Sequence, residues 1–144
     1  MASKVENLED LYEDLLKDLY SAEKQLVKAL PKMVKNADSP DLQKAFQEHL
    51  GQTEKHVERI ERIFSSMDGS PRGKKCVGME GLIAAAQKVE HYEIASYGTA
   101  RAWAEKIGHQ DHVRLLQQTL DEEAMANEKL TDLAESYINM EAQR

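Results

Sequence analysis

One cysteine, Cys76, is too few for a disulfide within the chain, so no disulfide framework holds this fold together. Three prolines and seven glycines in 144 residues leave little of the punctuation that a protein rich in turns needs. Aromatic residues make up only 6%, and no segment sustains the alternating pattern of a strand. Basic residues are outnumbered, 19 against 26 acidic, and the net charge of −7 excludes nucleic acid as the main partner. No apolar run approaches the roughly 18–20 residues that cross a bilayer. The opening stretch "MASKVENLEDLYEDLL" is acidic and lacks the apolar core of a signal peptide. These absences leave a cytoplasmic protein with no membrane partner as the expectation.

What is present favours helix. Ala, Leu, Glu, Lys and Gln dominate, and 41% hydrophobic content over this length suffices for one domain with a real core. Four amphipathic segments follow the 3.6-residue period. Helix A starts at Asn7, an N-cap followed by Glu9 and Asp10, and carries the stripe Leu8, Tyr12, Leu15, Leu19, Ala22/Glu23, Leu26, Leu30 and Met33. Pro31 should bend its end. Helix B starts with Ser39 as cap and Pro40 at its first position, then runs Leu42, Phe46, His49/Leu50, Thr53, Val57, Ile60 and Phe64. A glycine-rich loop follows, and helix C is read as continuous from Met79 or Glu80 to a C-cap at Gly108. Helix D runs Leu115/Leu116, Leu120, Glu123, Asn127, Leu130 and Tyr137. Four such helices with two short turns imply an all-α four-helix bundle spanning residues 1–144 as a single domain.

The chemistry lies in carboxylates on the inward stripes. An isolated ionised carboxylate is very unfavourable in an apolar core. Yet Glu23, Glu93 and Glu123 all sit among apolar residues, and Glu90 lies three positions from Glu93 in "VEHYE". Counting back from the A–B and C–D turns, at about 1.5 Å per residue, puts Glu23 and Glu93 at one depth. Residues 52–53 and 123–125 then lie opposite them. Laying the second half on the first pairs Glu23 with Glu93, Gln47 with Gln117, Leu50 with Leu120 and Thr53 with Glu123, a faint internal repeat. Helix B offers His49, Gln52, Thr53 and His56 to the same layer. Carboxylates and histidine at mid-bundle are the arrangement that holds two iron or manganese ions, whose charge cancels that of the buried acids. The usual Glu-x-x-His tetrapeptide is absent. Glu90 is balanced between ligand and solvated residue. His56 is open between a group of this layer and a solvated neighbour of Glu54 and Glu58, and His91, His109 and His112 are read as surface residues. Cys76 is read as an ordinary thiol in a mobile loop, and "PRGKK" as a solvated stretch.

The stretches "DLYSAEKQL", "ALPKM", "HLGQT", "GMEGLI", "AAAQKVEHYEIASYGT", "LDEE" and "KLTDLAE" resemble the YciF-like family of bacterial ferritin-like stress-response proteins over nearly the whole chain. The resemblance implies a ferritin-like four-helix bundle with a long B–C crossover, a homodimer, and a metal site of the rubrerythrin type. Carried over by position, its metal residues are Glu23, His49, Gln52, Glu90, Glu93 and Glu123, with iron, manganese or another divalent metal as cofactor. No reaction is implied firmly enough to name an enzyme. The competing expectations are a non-catalytic dimeric stress protein whose carboxylate layer is hydrated and metal-free, and a binder of small molecules or peptides between helices.

Two departures stand out. Gly51 and Gln52 replace acidic residues common in the family, so helix B supplies fewer anionic ligands. A further stretch of the family between "GMEGLI" and "AAAQ" is missing. The shortened link matters geometrically. In an up-down-down-up bundle it must travel the length of helices of about 25 residues, about 38 Å. Asp68 to Met79 reaches about 40 Å only when fully extended. Shorter helices, an up-down-up-down bundle, or a segment omitted between Gly81 and Ala86 would each resolve this. The omission is the favoured expectation, and it requires a Cα step there far above about 3.8 Å.

Overall fold

The computed structural model describes residues 5–82 and 86–135, and among them every regular element is helical. The order is α1 (Leu8–Asn36), α2 (Pro40–Ser66), α3 (Val77–Leu82), α4 (Ala86–Lys106) and α5 (Gln110–Leu133). Asn7 caps α1 as expected: its backbone is extended, and its side chain accepts from the Asp10 N–H at 2.9 Å. The helix continues through Pro31 to Asn36. Pro40 opens α2, but the Ser39 hydroxyl makes no capping bond; its backbone carbonyl takes Gln43 N–H instead, at 2.9 Å. Gly108 ends the C–D turn at φ +87°, a conformation that glycine adopts without strain.

The long helices form an up-down-down-up bundle. α1 packs on α2 and α4, and α5 packs on α4 and α2. One apolar layer joins Tyr12, Leu16 and Leu19 of α1 to Ile60, Ile63 and Phe64 of α2, Tyr97, Ala100 and Ala104 of α4, and Leu116 of α5. The other joins Ala22, Leu26 and Leu30 to Phe46, Cys76, Met79 and Val89. The N-terminal half of α1 therefore meets the C-terminal halves of α2 and α4, and α2 and α4 run the same way. That pairing excludes the up-down-up-down alternative.

The helix read from Met79 or Glu80 passes through residues 83–85, which lie outside the described residues. On either side of them are α3 (Val77–Leu82) and α4 (Ala86–Lys106). The crossover climbs beside α1. Lys74 bonds Asp14, Cys76 N–H donates to Ser21 Oγ at 2.8 Å, and Gln25 donates to the Cys76 carbonyl at 2.8 Å. The expected break between Gly81 and Ala86 falls on residues 83–85, outside the described residues. No helix is long and apolar enough to cross a membrane, among the described residues.

Candidate metal centre

Between the two apolar layers lies a polar one. Glu23, Glu93, Glu123 and His56 are fully buried, and His49 and Glu90 are 5% and 3% exposed. Four helices contribute: Glu23 from α1, His49 and His56 from α2, Glu90 and Glu93 from α4, and Glu123 from α5. Helical spacing explains the convergence. Glu90 and Glu93 stand one turn apart on α4, and His49 and His56 two turns apart on α2, so each pair projects from one face.

Two groups of ligating atoms form, each within 4.8 Å: His49, Glu90, Glu93 and Glu123 in one, and Glu23, His56 and Glu123 in the other. Glu123 belongs to both. His49 Nε2 lies 3.3 Å from Glu90 and 3.9 Å from Glu123, while His56 Nδ1 lies 3.2 Å from Glu23 and 2.9 Å from Glu123. None of the three acids singled out from the sequence stripes points to bulk solvent.

The donor inventory equals that of the two-metal carboxylate bundles, four carboxylates and two imidazoles, but the positions are redistributed. α2 keeps the histidine of a Glu-x-x-His pair, with Thr53 in the glutamate's place before His56. α5 keeps the glutamate, with Ala126 in the histidine's place after Glu123. His49 and Glu90, each about one helical turn from the vacated or paired position, restore the count. This is why no tetrapeptide was visible.

Both imidazoles are oriented by partners behind them. His56 Nε2–H donates to Glu122 at 2.8 Å, and Arg59 grips Glu122 bidentately at 2.8 and 2.9 Å. This orients the ring and turns Nδ1 toward Glu23 and Glu123, where a cation would displace its proton. His49 Nδ1–H donates to Gln52 Oε1 at 3.3 Å, leaving Nε2 for the cluster. Gln52 thus stands behind His49, only half-buried. Tyr97 donates its hydroxyl to Glu23.

The remaining atoms lack partners outside the cluster. Glu23 Oε2, Glu90 Oε2 and both Glu93 oxygens are buried without a hydrogen bond, while His49 Nε2, His56 Nδ1 and the Glu123 oxygens face only groups of the cluster itself. Such atoms are costly unless something meets them. The protonation balance shows the same stress. Burial, reinforced by Glu123 and Glu23, pushes Glu90 up to about 11, and burial with the neighbouring acids raises Glu93. Burial opposes charge on His56, but Glu23 and Glu123 outweigh it and lift the imidazole to about 10. Burial likewise opposes charge on Glu123, but His56, Glu90 and His49 hold it at about 2. Two divalent cations would match four carboxylates in charge and meet the orphaned atoms, so the residues present fit such a pair.

The structure resolves His56, open in the sequence, and corrects several other readings. His56 is a group of the layer: Glu54 and Glu58 face outward while the imidazole faces the core. Its seven-residue spacing from His49 carried that signal. Glu122 and Arg59 were missed. His112 is buried, bonding Tyr12 at 3.1 Å and Ser66 at 2.8 Å. Cys76 is buried and contacts Asp18 and Tyr92, both at 3.2 Å. Within "PRGKK", Lys74 and Lys75 pair with Asp14 and Glu80.

Comparison with known proteins agrees with this architecture. The family described as Domain of unknown function DUF892 matches residues 7–87 and 81–143. The protein YciF of Escherichia coli strain K12 is 41% identical, covering 96% of this chain and 97% of the relative. That alignment spans 161 positions, more than the 144 residues here, so the relative has residues without counterparts in this chain. The two family matches overlap at residues 81–87. The crystal structure of the E. coli stress protein YciF superposes with a TM-score of 0.89, over 94% of this chain and 99% of that one. YcfI of Rhodopseudomonas palustris, 40% identical, gives 0.86 over 91% and 97%. A Xanthomonas campestris protein at 22% identity shares the fold, with a TM-score of 0.81 over 95% and 97%.

Proposed function

Since the chain belongs to the YciF-like family, we propose that it is a ferritin-like bacterial stress-response protein that binds two divalent cations, iron or manganese, in its polar layer. The observation that carries this is Glu123. It is fully buried and shared by both clusters, and its oxygens face only the cluster's own groups, His56 Nδ1 at 2.9 Å and His49 Nε2 at 3.9 Å. On this reading Glu123 would serve both cations; Glu23 and His56 would hold one, and His49, Glu90 and Glu93 would hold the other. Gln52 acts through His49, and Glu122 with Arg59 acts through His56. Tyr97 holds Glu23 in place. Two redox-active ions held this way supply one-electron chemistry toward a small oxidant, and the apolar layers above and below keep bulk water away.

The test is elemental analysis of protein purified without chelators and again after anaerobic reconstitution. About two equivalents of metal per chain support the reading. A content below about a tenth of an equivalent after reconstitution would contradict it and favour the hydrated, metal-free layer. The homodimer implied by the family resemblance belongs to the same proposal and is measured by light scattering.

A further inference from the structure

A second buried polar cluster lies about 16 Å along α5 from Glu123, on the first turn of that helix. Its centre is His112, which is buried and ties three helices together. His112 Nδ1 lies 3.1 Å from the Tyr12 hydroxyl of α1, and Nε2 lies 2.8 Å from Ser66 Oγ at the end of α2. The Ser66 hydroxyl donates to the Ile63 carbonyl at 2.7 Å, and a carbonyl can only accept. The serine proton is thereby committed, so His112 Nε2 carries the hydrogen of the Ser66 contact. Nδ1 then accepts from Tyr12. Tyr12 is buried, and its hydroxyl has no other hydrogen-bond partner among the described residues.

A second proton can enter this ring only at Nδ1. Both ring nitrogens are then donors, and Nδ1–H meets the Tyr12 oxygen. Tyr12 must turn its own hydrogen away, into an apolar layer, and a buried hydroxyl without an acceptor is unfavourable. The surroundings bear on the same step. The His109 imidazole, 4.6 Å away between ring centroids, opposes a cation at His112. Arg62 of α2 and Arg114 of α5 line the cavity beside His112 and oppose it as well. Asp111 favours it, but Arg114 binds the Asp111 carboxylate. From α1, Glu9 and Glu13 line the neighbouring cavity with His109, and Ile107, just past α4, adds only an apolar wall there. Burial, then His109, hold the His112 imidazole below its usual range, with Asp111 opposing.

We propose that His112 is an acid-sensitive latch: neutral, it joins α1, α2 and α5 at this end of the bundle, and doubly protonated it releases Tyr12 and loosens the α4–α5 turn. An imidazole held below 6.5 in the fold contributes stability that is complete above pH 6.5 and is lost as pH falls through its folded value. No residue of the latch belongs to the polar layer.

The experiment is hydrogen exchange of the whole chain, read by mass spectrometry from about pH 7.5 to about pH 5 and corrected for the intrinsic rate. Amides of residues 107–116 should open at least about tenfold more at the acid end, while those of residues 19–30 in α1 should not follow. His112→Gln keeps a donor for Ser66 and takes no proton, so its exchange over 107–116 should be flat across this range. If that variant does not fold, His109→Gln is read in its place: removing the opposing imidazole should move the midpoint of the step to higher pH. A wild type without the step overturns the proposal, and so does a step shared by residues 19–30. A step that survives in His112→Gln overturns it as well. In His109→Gln, an unmoved midpoint contradicts the proposal, and loss of the step assigns it to His109 instead.

Discussion

Glu93 is itself fully buried, and neither of its carboxylate oxygens has a hydrogen bond. In the metal-free protein, Glu93→Gln removes one of several repelling acids, so it should be neutral or raise the melting temperature. In metal-loaded protein the same change should weaken binding and lower the melting temperature. Melting curves with and without chelator read both; the same response in each would contradict the assignment. Glu122 gives the complementary case, since its carboxylate touches His56 and Arg59 rather than the cluster's centre. Glu122→Gln should weaken metal affinity about 10–100-fold by loosening the imidazole, measured by competition with a calibrated chelator. Unchanged affinity would mean that His56 is held without it. At this scale the acids were legible because a glutamate on an apolar stripe stands out. His56 stayed open, because two flanking glutamates suggest solvent, and only the helical angle separates their side from its own.

The helices divide the work unevenly. α1, α2 and α5 have strong apolar stripes, and their starts at Asn7, Pro40 and the turn after Gly108 follow from cap chemistry visible in the sequence. α4 has a weak stripe because Glu90, Glu93 and Tyr97 occupy its inward face. The sequence runs this helix from Met79 or Glu80, and the described helix starts at Ala86, after residues 83–85, which lie outside the described residues. The α3 helix, seated by Cys76 and the buried Met79, depends on contacts with α1 that no local pattern announces. The cap of α1 is testable by itself. Asn7→Ala removes the acceptor for Asp10 N–H and should cost about 1 kcal/mol, read as a lower denaturant midpoint with unchanged slope. No shift would mean that water replaces the cap at no cost.

For the whole molecule, the polar layer makes stability depend on pH and metal together. In metal-free protein, His56 at about 10, against an ordinary 6.5, contributes stability that is full below pH 6.5 and lost as pH rises through 10. Glu90, raised from 4.5 to about 11, acts in the same sense, because the folded chain keeps a proton that the unfolded chain releases. The metal-free melting temperature should therefore fall between about pH 6.5 and 10. Metal binding displaces those protons, so the gap between loaded and metal-free protein should widen over that range. A gap that narrows as pH rises would contradict this. The most direct measurement is anomalous diffraction from crystals loaded with manganese or iron. The account predicts two peaks about 3.5–4 Å apart on either side of Glu123, one beside His56 and Glu23 and the other beside His49, Glu90 and Glu93. No peak in the polar layer, or metal bound only on the protein's exterior, would contradict it.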